Sequence, residues 1–257
     1  MMFSVVVPAY NEAQRILPSL DRIVAYMEQH HPDFEVLVVD DGSTDGTAEV
    51  IRRRFGEHPR LRIVSYGANR GKGYAVRYGA RQAAGDLILF SDADLSTPIE
   101  DMEKMRPLIQ QGYDVVIGSR AHSNAEIRLH QPLYREIAGK LFNLFVRLVV
   151  GGRFRDTQCG FKLFRRDAVV PLLDHLEVDR WAFDVELIAI AMASGLRVGE
   201  VPVVWTNSPT STVGLWQGAQ AYADLLRIRQ RANRLRAAAA SGTTPSRKEG
   251  GSQTVTR

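Results

Sequence analysis

Five short runs of aliphatic, β-branched and aromatic residues, at 3–7, 36–39, 61–64, 87–90 and 115–117, recur at nearly even intervals through the first half of the chain. Helical patterns separate them, the clearest placing Ile16, Leu17, Leu20, Ile23, Val24 and Met27 on one face. Strand alternating with helix predicts an α/β fold: a mostly parallel sheet with helices on both faces. This pattern constrains function as well as fold. Parallel strands end on one edge, and open sheets of this kind hold ligands there.

The residues after each run are polar and of particular types. Tyr10-Asn11-Glu12 follows the first, Asp40-Asp41-Gly42-Ser43-Thr44-Asp45-Gly46-Thr47 the second and Asn69-Arg70-Gly71-Lys72-Gly73 the third. Asp92-Ala93-Asp94 follows the fourth, and Ser119-Arg120 the fifth. Any one of these fits an ordinary turn or helix cap, since Asp, Asn, Ser and Gly are what turns require. No turn chemistry demands all of them at one edge. The Asp92/Asp94 pair is open to two readings, an acidic surface turn or a cation site. Two adjacent ionised carboxylates repel unless a cation joins them, and hard oxygen ligands select Mg²⁺ or Mn²⁺, which suit a diphosphate.

Composition narrows the partners. The sequence pI of 9.3 invites a nucleic-acid reading, but the basic surplus is local. Residues 220–257 hold eight Lys/Arg against two Asp/Glu, whereas residues 1–219 hold 25 against 27, so the basic surplus is a tail property and no basic-aromatic surface is evident in the body. One domain is expected over 1–236, with a disordered basic tail over 237–257 rich in Ala, Ser, Gly and Thr. Cys159 stands alone, which fits a reducing compartment, and, with a strand pattern at residues 3–7, no signal peptide is expected. Two amphipathic helices are expected, at about 133–150 and 215–236. In the first, Glu136, Lys140, Asn143 and Arg147 form a narrow polar stripe on an otherwise apolar helix. It reads either as packed in the protein or as resting on a bilayer, where Arg128, Arg135, Arg153 and Arg155 would meet anionic head groups. The basic helix through Arg227, Arg229, Arg231 and Arg236 reads either as a membrane-surface element or as a solvated end.

Taken in order, Val7-Pro8-Ala9-Tyr10-Asn11-Glu12, the Asp40–Thr47 segment, Asn69–Gly73, Asp92-Ala93-Asp94 and Gly118-Ser119-Arg120 resemble the motifs of family 2 glycosyltransferases, over about residues 3–210. Asp156-Thr157-Gln158-Cys159-Gly160-Phe161-Lys162-Leu163-Phe164 and Arg180-Trp181-Ala182-Phe183-Asp184-Val185-Glu186-Leu187 are similar to the dolichyl-phosphate β-glucosyltransferase branch, with the dolichyl-phosphate mannose synthases as the nearest alternative. The resemblance implies a GT-A fold that binds a nucleotide-sugar and a divalent metal. It also implies roles for single residues. Pro8, Tyr10 and Glu12, with Asp41 and Asp40, would hold the nucleobase and ribose, and Lys72 would lie by the nucleotide. Asp92 and Asp94 match the metal motif, Asp94 as direct ligand. Arg120, Arg135 and Arg155 would reach the diphosphate or an acceptor phosphate.

Two departures from the resembled pattern matter. Ser96 stands where mannose synthases often carry a Gln ligand, which weakens any third protein ligand to the metal. The acceptor loop reads Asn207-Ser208-Pro209-Thr210-Ser211-Thr212, with no basic residue where similar enzymes place one. The chemistry itself asks for charge neutralisation on the leaving diphosphate. An alcohol acceptor would need a base, whereas a phosphate monoester is already anionic and needs none. Asp156 is therefore read as orienting the sugar or a basic neighbour, with candidate base and turn cap as the alternatives. Asp184 and Glu186, at i and i+2, do not share a helix face. The expected function is inverting, metal-dependent transfer of glucose from UDP-glucose to a polyprenyl phosphate, by a peripheral protein at the cytoplasmic face of the cell membrane. The alternatives are a GDP-mannose-dependent transferase and a catalytically silent nucleotide-sugar-binding regulator.

Overall fold

The computed structural model describes residues 1–56, 58–129, 133–147, 151, 154–206 and 215–240. The chain runs β1 (Phe3–Ala9), α1 (Ile16–His30), β2 (Phe34–Asp40), α2 (Thr47–Phe55), β3 (Leu61–Ser65), α3 (Lys72–Gln82) and β4 (Leu87–Ser91). A short 3₁₀ turn over Ile99–Asp101 leads into α4 (Met102–Gln110), then β5 (Val115–Ser119), β6 (Glu126–Leu129) and α5 (Leu133–Val146). Next come β7 (Phe161–Arg165), α6 (Arg166–Val169), a 3₁₀ segment over Val170–His175, α7 (Phe183–Ala193), β8 (Val198–Pro202), β9 (Val204–Thr206) and α8 (Leu215–Ala240).

The main sheet has the order β3-β2-β1-β4-β7-β5-β8. Strands β1 to β4 are mutually parallel, as are β5 and β8, while β7 runs antiparallel between β4 and β5. The expected mostly parallel sheet with helices on both faces is what the chain forms. Every position of β1, β2, β4 and β5 is buried, because alternate residues face different helical layers. On one face Val5, Val7, Val36, Val38 and Leu89 pack with Ile16, Leu20, Ile23 and Met27 of α1. On the other, Val6, Leu37, Val39, Ile88 and Phe90 pack with Ala75, Val76 and Ala80 of α3 and with Leu187 and Ile188 of α7. Each of the Val, Leu, Ile, Met and Phe side chains among them contributes about 1.5–3 kcal/mol relative to exposure.

Helix α7 has no solvent face. Its far side meets Phe142 and Val146 of α5 and Leu225, Ile228 and Ala232 of α8, which form a third layer. The broad apolar face expected of α5 is thus divided. Phe142 and Val146 turn inward, while Leu141 and Leu144 are 58% and 53% exposed. Among the described residues no helix is long and apolar enough to cross a membrane.

Strand β8 belongs to the main sheet, whereas β9 pairs with β6 in a separate two-stranded parallel ribbon. Strand β7 was legible only as a polar motif. The tail expected from Ala237 onward begins as helix, because α8 continues through Ala240, and alanine is the strongest helix former. Residues 241–257 lie outside the described residues, as does the 207–212 loop.

Candidate active site

Strand β1 is where the chain order of the sheet reverses, with β2 on one side and β4 on the other. Pairing of β1 with β4 stops at Val6↔Phe90, while β1 continues beside β2 as far as Ala9↔Asp40. The two strands part at their C-terminal ends, which is the position where such sheets open to ligands. Pro8 sits in this unpaired stretch, where its missing N–H costs no β4 ladder bond. The motifs named from sequence gather around this opening.

The β1–α1 and β2–α2 loops are laced together. Asn11 adopts a left-handed conformation, φ 55°, which asparagine tolerates. Its N–H donates to Ser43 Oγ (3.0 Å), and its Oδ1 accepts from Thr44 N (2.9 Å). Glu12 N donates to Thr47 Oγ1 at 2.8 Å. Tyr10 is left exposed on this frame. The Glu12 carboxylate is clasped by Arg15, whose Nη2 donates to Oε1 at 2.6 Å and whose Nε donates to Oε2. Hydrogen bonding to Glu12 outweighs burial and raises Arg15, with Asp94 and Asp92 adding to the shift. Arg15 therefore belongs electrostatically to the Asp92/Asp94 site. Arg15 is not among the site residues expected from sequence.

Asp40 and Asp41 are both buried. Asp40 Oδ1 caps the turn by accepting from Ser43 N at 3.0 Å. Asp41 organises the β3–α3 loop. It accepts from Tyr66 Oη (2.7 Å), Asn69 Nδ2 (3.0 Å), Arg70 N (2.7 Å) and Gly71 N (2.9 Å). Both Asp41 oxygens are thus engaged, and its direct work is to hold the loop that delivers Lys72. Asp41 thus takes a loop-holding role beside the base-or-ribose contact expected of it from sequence.

Lys72 opens α3, and its Nζ lies 2.6 Å from Asp92 Oδ1. Burial opposes the Lys72 charge, but Asp92 first, then Asp184 and Asp94, outweigh it and raise the ammonium. Asp92 is pressed from the other side by Gly160. A Cβ on Gly160 would lie 1.9 Å from Asp92 Oδ2, and Asp92 N donates to Gly160 O at 3.1 Å. Asp94 follows in a tight turn in which its Oδ1 accepts from Ser96 N at 3.0 Å. Leu95 in that turn has φ 47°, a costly conformation for a bulky residue, about 1–3 kcal/mol. The backbone is thus strained where the two carboxylates are aimed.

Arg120, at the end of β5, forms a fork with Asp156. Nε donates to Oδ2 at 2.6 Å, Nη2 to Oδ1 at 3.0 Å, and the Arg120 backbone N to Oδ2 at 3.0 Å. Burial pushes the Asp156 carboxyl up, but Arg120 more than offsets it, and the net shift is downward. A carboxylate so held is a poor proton acceptor, so the candidate-base role for Asp156 is corrected: it orients Arg120, whose Nη1 edge it does not use. Arg155, just before it, is exposed, with its N–H held by Glu200 Oε1 at 2.9 Å. Arg135 is on α5 with its side chain outside the described residues, and Arg153 and Thr212 lie outside them altogether. Burial, and after it Asp156, pushes the Cys159 thiol up to about 11, consistent with packing and not with nucleophilic chemistry.

Asp184 and Glu186 are both internal. Asp184 pairs with the fully buried Lys162 of β7, which also donates to Cys159 O at 2.5 Å. Glu186 accepts from Glu177 N (3.0 Å) and Val178 N (2.8 Å) and pairs with Arg231 of α8. Lys162 was hidden in sequence, because a lysine in an apolar run reads as a surface residue.

Asp92 and Asp94 supply hard carboxylate oxygens, half exposed, ringed by the cations Lys72, Arg15 and Arg120. Among the described residues no group of three or more His, Cys, Asp or Glu side chains forms a closed cage. Two carboxylates with open surroundings fit Mg²⁺ or Mn²⁺, which commonly take one or two carboxylates and complete their shell with water and substrate phosphate.

The sequence model of the family described as Glycosyl transferase family 2 matches residues 4–172. A dolichyl-phosphate beta-glucosyltransferase of Trichomonas vaginalis is 38% identical over 233 residues, covering 87% of this chain and 69% of that protein. Its namesake from Drosophila melanogaster is 40% identical over 239 residues (88% and 73%), and that from Homo sapiens 38% over 244 residues (89% and 75%). Among solved structures, glucosyl-3-phosphoglycerate synthase from Mycobacterium tuberculosis, crystallised with Mn²⁺, UDP-glucose and phosphoglyceric acid, superposes with a TM-score of 0.66 at 22% identity, covering 89% of this chain and 80% of that one. Mannosyl-3-phosphoglycerate synthase from Rubrobacter xylanophilus gives 0.58 at 23% identity, covering 98% and 78%. These likenesses agree with the GT-A architecture of the sheet.

Proposed function

Because the chain belongs to glycosyltransferase family 2 and is therefore a sugar-transferring enzyme, we propose that it moves glucose from UDP-glucose to a dolichyl-type polyprenyl phosphate with inversion at the anomeric carbon. The observation that carries this reading is the Asp92/Asp94 pair at the parting of β1 and β4, ringed by Lys72, Arg15 and Arg120. An anionic, cation-lined opening of this kind suits a diphosphate that departs with negative charge. The names of the relatives at 38–40% identity support glucose and dolichyl phosphate as the sugar and acceptor.

In this reading the acceptor phosphate oxygen attacks the anomeric carbon as the bond to the diphosphate oxygen breaks. Mg²⁺ or Mn²⁺ held by Asp92 and Asp94 would neutralise charge on the leaving diphosphate. Tyr10 and the Pro8–Glu12 segment frame the nucleoside, and Lys72 and Arg15 supply fixed positive charge beside the phosphates. Arg120, oriented by Asp156, offers its remaining edge to the acceptor phosphate. No general base is required, which agrees with the burial of Asp156 in an ion pair.

Membrane docking belongs to the same proposal. Leu141 and Leu144 of α5 and Leu226 of α8 are exposed, and Arg227 and Arg229 beside Leu226 are exposed as well. Exposed leucines accompanied by arginines suit an anionic leaflet, and the cytoplasmic leaflet is the more anionic. A donor screen with Mg²⁺ or Mn²⁺ and a short polyprenyl phosphate tests the whole reading. Lipid-linked glucose from UDP-glucose, lost in Asp94→Asn, is expected. Transfer from GDP-mannose, or nucleotide release without lipid product, would overturn the donor or the acceptor assignment respectively.

A further inference from the structure

We infer that Lys72 is the resting occupant of the cation position, and that a divalent ion binds Asp92 only as a nucleoside diphosphate arrives to take the Lys72 ammonium in exchange. This rests on the proposed reading of Asp92 and Asp94 as the metal-holding pair.

The geometry supports it from both sides of Asp92. The Lys72 ammonium lies 2.6 Å from Oδ1, a full ion-pair contact. Oδ2 is backed by Gly160, where even a Cβ finds no room, so the carboxylate cannot swing toward β7 to offer a fresh face. Two cations on one carboxylate oxygen repel strongly at a half-buried site. Metal entry therefore requires the ammonium to move. Lys72 has a flexible four-carbon stem for that movement, and its Nζ stands 5.1 Å from the Phe90 ring centroid and 5.8 Å from that of Trp181, so aromatic faces flank its path.

The consequence is thermodynamic coupling. With no diphosphate present, expelling Lys72 from Asp92 strands an ammonium among half-buried groups. With a diphosphate present, the ammonium gains new phosphate oxygens, and metal and nucleotide each favour the other's binding by the same factor. Lys72 also keeps Asp92 and Asp94 from repelling one another before the ligands come.

The test is calorimetric titration of Mn²⁺ into the wild-type chain, Lys72→Met and Lys72→Arg, each with and without saturating UDP, with melting temperatures to establish that the variants are folded. Lys72→Met keeps the stem and removes the charge. It is expected to bind Mn²⁺ alone at least tenfold more tightly than wild type, and to show a smaller tightening on adding UDP. Lys72→Arg is expected to keep the weak metal-alone affinity. If Lys72→Met does not fold, Lys72→Gln takes its place with the same expectation. Wild type that binds Mn²⁺ with UDP, together with a charge-free variant whose metal-alone affinity is no higher, overturns the Lys72 role and leaves the metal assignment standing. Absence of Mn²⁺ binding by wild type even with UDP overturns both.

Discussion

Gly160→Ala is the sharpest probe of how the site is held. The position has ordinary backbone, so conformational strain is not at issue. A Cβ there would lie 1.9 Å from Asp92 Oδ2, 2.3 Å from Cγ and 2.5 Å from Oδ1. The first is about 1.5 Å short of the 3.4 Å at which ordinary contact begins. The main chain cannot give that much, because Asp92 N donates to Gly160 O at 3.1 Å and the adjoining Ser91↔Phe161 pair ties β4 to β7. The Asp92 carboxylate must rotate instead, and in doing so it leaves Lys72. Overpacking of a rigid core costs about 1–3 kcal/mol. Rotation of a half-exposed side chain relieves part of it, so about 1 kcal/mol is expected, or about 2–4 °C in melting temperature for a chain of this size. Catalysis should suffer far more, since displacing a catalytic group by about 1 Å costs on the order of 100-fold. Melting curves together with lipid-product formation separate the two effects. A folded Gly160→Ala that retains wild-type kcat/KM would refute the placement of Asp92 in the reacting site.

The other expectations follow from packing and charge. Gly79→Ala places a Cβ 2.5 Å from Val6 Cγ1 and 2.7 Å from Val39 Cγ2, between α3 and the sheet; it should lose about 1–3 kcal/mol in denaturant titrations while kcat is unchanged. Arg231→Met removes the cation from the fully buried Glu186 and should cost about 3–5 kcal/mol. Burial already holds Glu186 above the usual carboxylate range, so its stabilising protonated form is lost as pH rises. The Arg231→Met deficit should therefore be larger at pH 8 than at pH 5, and an equal deficit would contradict the buried pair. Asp156 is shifted the other way, below its usual 3.8. Its ion pair with Arg120 stabilises the fold above that value and is lost as pH falls through the depressed one. Circular dichroism during acidification should accordingly find a higher unfolding midpoint in Arg120→Met, and an unchanged midpoint would deny the coupling. Replacing both Leu141 and Leu144 by Asp should weaken binding to anionic vesicles about 100-fold, from about 1.5 kcal/mol per leucine, leaving turnover of a soluble acceptor intact; undiminished sedimentation with vesicles would remove α5 from the membrane surface.

Much of this was legible in sequence, for identifiable reasons. Buried parallel strands read as unbroken apolar runs, so 3–7, 36–39 and 87–90 announce themselves, and the polar residues following them must fall on one edge. Asp92, Asp94 and Lys72 come from that logic. Pairings across distant segments do not. Nothing in Asp41-Gly42-Ser43 says that its carboxylate will be taken by Tyr66, Asn69, Arg70 and Gly71, and nothing in Arg15 says that it will turn back toward Glu12 and Asp94. Strand β7 was obscured by its own Lys162, whose charge breaks the apolar pattern and is balanced by Asp184, 22 residues further on. Helix α7 carries apolar residues all round. Such a stretch signals burial on every side, but the α5 and α8 that cover it cannot be inferred from its own sequence.

The reversed direction of β7 explains how the site is completed. A parallel strand delivers to the ligand edge the residues that follow it, as β4 delivers Asp92 and Asp94. An antiparallel strand delivers those that precede it. Because β7 enters the sheet with Phe161 opposite Ser91, the segment from Asp156 to Gly160 arrives at the same edge and meets Arg120 and Asp92. Three acidic groups are then balanced by cations from other elements: Asp156 by Arg120 just after β5, Asp184 by Lys162 of β7, Asp92 by Lys72 of α3. The first two pairs place their carboxylates out of solvent, and removing either partner would strand a buried charge. The Lys72–Asp92 pair is half exposed at both ends, so it is the one that an incoming diphosphate and cation can open without unmaking the fold.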